Sequence, residues 1–125
     1  MGPSPKLMIV DDEEHVGYLV KFQIEQSGYE VTWKMDGRSA LESIKSEHPD
    51  LVILDVMIPG ISGLEVLEIM KADATLNGIP VIILSSLAQE ADLIKAFDLG
   101  AADYLTKPFS PGELLVRVKR LIPAP

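Results

Sequence analysis

Apolar residues along this chain fall into two alternating patterns. Short continuous runs are separated by stretches in which apolar positions recur every three or four residues. Continuous runs of this length suit strands buried on both faces, and the wider spacing suits a helix with one inward stripe. Lys6 to Val10 (KLMIV) is the first run and ends abruptly in acids. Glu14 to Ser27 puts Val16, Leu19, Val20 and Ile24 on one helical face, with Gly28 placed to end the helix. Tyr29 to Lys34 (YEVTWK) is a strand with a mixed face. Asp36 is a suitable cap for a helix running to about Glu47.

The second half repeats the alternation. Leu51 to Leu54 is fully apolar and ends at Asp55. Pro59, Gly60 and Gly63 mark a turn-rich loop, after which Leu64, Leu67 and Met70 recur at helical spacing. Pro80 to Leu84 (PVIIL) ends in Ser85-Ser86, and a helix is expected from about Gln89 to Leu99, stopped by Gly100. Ala102 to Thr106 is the fifth strand and ends at Lys107-Pro108. The last helix is expected over Pro111 to Leu121, with Leu114, Leu115, Val118, Leu121 and Ile122 inward.

Five β-α units of this kind predict an α/β fold with a parallel sheet covered on both faces. Right-handed crossovers narrow the topology to a doubly wound sheet, in which ligands bind beyond the carboxyl ends of the strands, where the strand order reverses. The proline-rich ends lack donors for regular structure. Residues 1–5 therefore read as a disordered N-terminal tail, 6–122 as one folded domain, and 123–125 as a C-terminal tail or the start of a linker.

Composition changes this picture only by exclusion. A chain of 125 residues, 47% hydrophobic and 24% charged, fits a single globular domain. It has no cysteine, which removes disulfides and thiolate metal sites. No apolar run reaches membrane-spanning length and no secretory signal is visible at the start, so the expected location is the cytoplasm, with no membrane partner. Nineteen acids against eleven bases give a formal net charge of −8, which argues against direct nucleic-acid binding by this domain.

The chemistry is expected at the strand ends. The first strand delivers Asp11 and Asp12, the third Asp55, the fourth Ser85 and the fifth Lys107. Each residue alone has an ordinary explanation. An aspartate after a strand is often a turn or cap residue, Asp11 and Asp12 suit a helix start, the serines suit a loop, and the lysine suits a solvated surface. Together they describe one edge. Neighbouring carboxylates repel unless a cation intervenes, and oxygen-only ligands suit Mg²⁺. A carboxylate attacking a phosphoryl donor needs such neutralisation, to which Lys107 adds a second positive charge.

The strings MIVDDEE, DLVILDVMIPGISG, PVIILSS and GAADYLTKPF stand in the order and spacing of a known family. Over about residues 6 to 122 the sequence resembles the receiver domains of bacterial two-component response regulators. The resemblance implies a flavodoxin-like, CheY-like (βα)₅ sandwich with strand order 2-1-3-4-5. It implies that Asp55 is the phosphoacceptor, and that Asp12 and Asp55 ligate Mg²⁺ (or Mn²⁺) directly. Asp11 would act mainly through water, and the Met57 backbone carbonyl would complete the protein ligands. Lys107 would pair with the phosphoryl group, across a cis Lys107–Pro108 bond. Ser85 matches the switch hydroxyl and Tyr104 the switch aromatic, although strand propensity alone would make Tyr104 an ordinary half-buried tyrosine. The partner would be a sensor histidine kinase or a phosphotransfer protein. The domain would be a switch rather than an enzyme, with only self-phosphorylation and slow autodephosphorylation.

Two finer expectations follow from the resemblance. Met57 and Leu87 stand two positions after Asp55 and Ser85, beside the family's path for hydrolytic water. Both are apolar, which predicts a phosphoryl group lasting minutes or more. The stretch Lys95 to Lys119 also resembles the OmpR/PhoB-type regulators. There Lys95, Asp103, Glu113 and Arg117 match a charged face that forms a phosphorylation-dependent homodimer through the fourth helix, fifth strand and fifth helix. Ala102 stands where that branch usually has an acid. A solvated charged face is the ordinary alternative.

Three other readings fit these residues less well. A haloacid-dehalogenase-type phosphatase needs a second aspartate where Met57 stands. A flavodoxin-like cofactor binder needs a glycine- or hydroxyl-rich phosphate loop where the first acids stand. A receiver-shaped module that is never phosphorylated would not need its acids, hydroxyl and lysine intact.

Overall fold

Each apolar run forms a strand and each periodic stretch a helix. The computed structural model describes residues 3–86 and 90–124. Along these, β1 (Lys6–Val10), α1 (Glu14–Gln26), β2 (Glu30–Lys34), α2 (Gly37–Glu47) and β3 (Leu51–Asp55) follow in order. They are succeeded by α3 (Gly63–Ala72), β4 (Val81–Ser85), α4 (Glu90–Asp98), β5 (Asp103–Thr106) and α5 (Pro111–Leu121). The expected boundaries hold to within a residue or two. Gly28 follows α1 with φ 99°, a left-handed conformation that costs glycine little. Residues 3–5 hold no regular element, but the Pro5 carbonyl accepts from the Glu30 N–H, so this segment runs on into the sheet edge. Leu87, one of the two residues assigned to the water path, lies outside the described residues, as does the expected start of α4 at Gln89.

The five strands are parallel and ordered β2-β1-β3-β4-β5. Order reverses at β1, so the switch point lies between the carboxyl ends of β1 and β3. Alternation along each strand divides the core in two. Met8, Val10, Val52, Leu54, Val81 and Ile83 face one way and pack against Leu41, Ile44, Leu67, Met70 and Ala96 of α2, α3 and α4. Leu7, Ile9, Leu51, Ile53, Ile82 and Leu84 face the other way and pack against Val20, Ile24, Leu114 and Val118 of α1 and α5. Burial of both faces explains why these strands read as unbroken apolar runs.

One inward assignment fails. Leu19 is 47% exposed, beside Tyr18 and Phe22, which are more exposed still. The α1 stripe is narrower than its spacing suggests, because only Gly17, Val20 and Ile24 of this helix are buried. Among the described residues, no helix is long and apolar enough to cross a membrane.

Candidate functional site

Backbone pairing delivers the acids to one edge. The Asp11 N–H donates to the Lys34 carbonyl at 3.0 Å and the Val56 N–H to the Leu84 carbonyl at 3.0 Å, so the pairing of β1 with β2 and of β3 with β4 continues one residue past the ends of β1 and β3. Asp11 and Asp55 are buried, whereas Asp12 is exposed. One carboxylate oxygen from each of the three lies within 4.8 Å of the others. On the far side of β4, the Lys107 N–H donates to the Ser85 carbonyl at 2.8 Å, which fixes the lysine just past the end of β5. The Lys107–Pro108 peptide bond is cis.

Lys107 reaches back across the edge. Its Nζ lies 2.8 Å from Asp55 Oδ2, 2.8 Å from Asp11 Oδ2 and 2.7 Å from Glu13 Oε1. Backbone donors hold the other oxygens of the two buried acids. The Glu13 N–H donates to Asp11 Oδ1 at 2.9 Å, and the Met57 N–H donates to Asp55 Oδ1 at 3.0 Å.

Charge is therefore concentrated and incompletely balanced. Burial pushes the Asp11 carboxyl above its ordinary range, and the Lys107 ammonium and the Glu13 N–H pull it back only in part. Burial alone would lower Lys107, but its contacts to Asp11, Asp55 and Glu13 prevail and hold it above the usual lysine range. The same ammonium holds Glu13 below the usual carboxylate range.

These residues suit a hard divalent cation. The donors are all carboxylate oxygens, which favour Mg²⁺ or Mn²⁺ over softer metals. Asp11 Oδ2 is buried and has no hydrogen bond of good geometry, although the Lys107 charge stands beside it. A buried carboxylate oxygen left in this state is costly, and a cation beside Asp12 and Asp55 would relieve it.

The response regulator receiver domain family matches this chain over residues 7–119. The chain belongs to that family. It is 40% identical over 119 residues to the alkaline phosphatase synthesis transcriptional regulatory protein PhoP of Bacillus subtilis, covering 95% of this chain and 49% of PhoP. It is 38% identical over 117 residues to the phosphate regulon transcriptional regulatory protein PhoB of Klebsiella pneumoniae, covering 94% and 51%. The chain thus spans about half the length of these relatives. The chemotaxis protein CheY4 of Vibrio cholerae superposes with a TM-score of 0.89 at 28% identity, over 95% of this chain and 99% of CheY4. The fold is CheY-like, and the protein is a receiver domain of the two-component signalling class.

The remaining assigned residues of the receiver domain lie around this edge or on its flank. Ser85 is fully buried at the end of β4, and Tyr104 is half-buried on β5 against the core that α2, α3 and α4 cover. Met57 follows β3 with its side chain 59% exposed. Lys95 and Glu113 are exposed on α4 and α5. Asp103 is engaged within the chain, 3.3 Å from Arg117 Nε and 2.8 Å from Arg120 Nη2. Glu113 closes a capping box with Ser110 at the start of α5.

Three features of the receiver domain are invisible in its sequence pattern. Glu13 stands there only as part of an acidic string, yet it is a third partner of Lys107, 94 residues away. Trp33 stands there as a strand residue, yet its Nε1–H donates to the Asp11 carbonyl at 2.9 Å. A groove of about 510 Å³ lies beside the acids, lined by Val16, Leu19, Lys107, Pro108 and Phe109 among others. The only signal for that groove is an α1 stripe with more apolar residues than the core needs.

Proposed function

We propose that Asp55 accepts a phosphoryl group from a phosphohistidine of a sensor histidine kinase or phosphotransfer protein, in a reaction that depends on Mg²⁺ or Mn²⁺. The observation that carries this reading is the convergence of Asp11, Asp12, Asp55 and Lys107 at the switch point of the sheet. The carboxylate oxygen of Asp55 attacks phosphorus and the P–N bond breaks. Its electron pair returns to the imidazole nitrogen, which takes up a proton. Lys107 meets the negative charge on a transferring oxygen in this reading, and the Ser85 hydroxyl holds another. A cation would be held by Asp12, Asp55 and the Met57 carbonyl, with Asp11 acting mainly through water, and would supply the remaining charge neutralisation.

The acyl phosphate then acts through position rather than turnover. Ser85 moves toward the phosphoryl group, and Tyr104 turns into the space vacated. The face of α4, β5 and α5 changes shape and charge, which biases a two-state equilibrium. That face carries exposed Ile94, Phe97 and Val116 among its charges, a composition suited to a protein partner or a second copy. A phosphorylation-dependent homodimer using Lys95, Asp103, Glu113 and Arg117 requires Asp103 to exchange its present arginines for those of the other copy. The exposed apolar Met57 side chain offers no group to orient water, which favours a long-lived phosphoryl group. The surrounding charge of −8 directs any DNA contact to another part of a regulator.

Acetyl phosphate or beryllofluoride with Mg²⁺ tests the reading directly. With acetyl phosphate the wild type should gain one phosphoryl group by intact mass, and Asp55→Asn should gain none. A wild type that stays unmodified, or an Asp55→Asn variant modified as readily, overturns it. Ultracentrifugation with and without beryllofluoride tests the dimer.

A further inference from the structure

We propose that Glu13 is a displaceable anchor of Lys107: it holds the ammonium before phosphorylation and gives up its place to a phosphoryl oxygen. The inference rests on the phosphoacceptor reading of Asp55 and concerns what regulates that site.

An ammonium has three N–H donors. In this structure the ammonium donates to Asp55 Oδ2 at 2.8 Å and Glu13 Oε1 at 2.7 Å, and Asp11 Oδ2 crowds it at 2.8 Å without a hydrogen bond of good geometry. A phosphoryl oxygen arriving at Lys107 therefore competes with three carboxylates already crowded around the ammonium. The three are not equally free to withdraw. The Asp11 and Asp55 side chains are 0% and 4% exposed, sit at strand ends, and are each pinned by a backbone N–H. The Glu13 side chain is 46% exposed, and its backbone precedes α1 without a side-chain cap bond of its own. Water is at hand to receive its carboxylate, whereas withdrawing either buried acid would strand a charge. Glu13 is the carboxylate that moves.

Two consequences separate an anchor from a bystander charge. The anchor competes with the phosphoryl group, so its removal should favour every state in which Lys107 meets an anion. The effect should also depend on reach, since the contact is made by the terminal carboxylate of the glutamate. An aspartate at this position keeps the charge but falls a methylene short. A half-exposed ion pair is modest in strength, which puts the expected gain at about two- to fivefold.

The test is a beryllofluoride titration in saturating Mg²⁺, followed by ¹⁹F NMR, on wild type, Glu13→Gln, Glu13→Asp and Asp55→Asn. Thermal melts of the Mg²⁺-free proteins serve as the folding control. Both Glu13 variants should bind beryllofluoride about two- to fivefold more tightly than wild type, with acetyl phosphate labelling accelerated in parallel. Unchanged or weaker binding in Glu13→Gln overturns the proposal. So does an aspartate variant that behaves as wild type, since charge without contact would then suffice. If the wild type itself binds no beryllofluoride, or binds it as well as Asp55→Asn does, the reading of Asp55 fails first and this inference with it.

Discussion

The indole Nε1–H of Trp33 donates to the backbone carbonyl of Asp11 at 2.9 Å, which ties the end of β2 to the first acid of the site. The ring also stacks edge-on with Tyr18, centroids 5.1 Å apart, so it touches α1 as well. Trp33 is the only tryptophan in the chain. Its emission should therefore report cation binding at the acids. Titration with Mg²⁺ is expected to change the emission saturably, and EDTA to reverse the change. Asp11→Asn should remove most of the response. A calorimetrically saturated site with unaltered emission would show that the indole does not sense Asp11.

Gly63 opens α3 beside the end of β3, the strand that closes on Asp55. A Cβ at this position would lie 2.1 Å from the Asp55 carbonyl oxygen and 2.8 Å from its carbon, so the backbone of Asp55 would have to shift. Gly63→Ala is expected to lower stability by about 1–3 kcal/mol, the usual range for overpacking, and to slow acetyl phosphate labelling. At Gly78 an added Cβ would meet nothing within 4 Å, and the backbone is not left-handed. Gly78→Ala should leave both properties within error, about ±0.5 kcal/mol in stability. Urea melts and intact mass distinguish the two variants. Equal behaviour would mean that the Gly63 contact relaxes without touching Asp55.

The contrast between what is legible in the sequence and what is not has a physical basis. Strands such as Leu51–Asp55 and Val81–Ser85 are buried on both faces, so their hydropathy announces them, and the residue that ends each run falls at the sheet edge. That rule finds Asp55 and Ser85, and its extension one residue past a strand end finds Asp11 and Lys107. Glu13 escapes it because its part depends on a long side chain reaching another across 94 residues, which no local pattern encodes. Leu19 is misplaced by its spacing because a helix stripe shows periodicity, not depth, and this residue lines an open groove instead of the core. The Asp103 pairs with Arg117 and Arg120 are equally hidden, since charge spacing does not tell contacts within a chain from contacts between copies.

Acid sensitivity should have an identifiable contribution at the start of α2. The Asp36 carboxylate accepts from the Ser39 N–H at 2.8 Å and from its hydroxyl at 2.9 Å, and these bonds hold it below the ordinary carboxylate range. A folded-state value below the unfolded one stabilises the fold above the unfolded value and loses that stabilisation as pH falls through the folded value. Asp36→Asn keeps a capping oxygen but no titrating group. Its urea midpoint should fall less steeply than that of wild type below about pH 4, near the unfolded aspartate value. Parallel acid limbs in the two proteins would remove Asp36 from the account.

At the opposite end of the pH scale, Tyr29 supplies the matching case. It is 3% exposed, packs in the core covered by α1 and α5, and donates its hydroxyl proton to the Ile122 carbonyl just past α5. Burial raises the phenol above its ordinary range, because the phenolate would lie in apolar surroundings. The neutral form is thus the one the fold prefers. Stabilisation is complete below the unfolded value, near pH 10, and is lost as pH rises toward the folded value. Tyr29→Phe keeps the ring and removes both the donor and the titration. It should cost about 1 kcal/mol at neutral pH for the lost hydrogen bond to a carbonyl that stays part-buried. Above about pH 10 the gap to wild type should close, because only the wild type is left with a buried phenol forced to ionise. Guanidinium melts at pH 7 and at alkaline pH check both limbs, and a gap that stays constant with pH would show that the phenol ionises without opposing the fold.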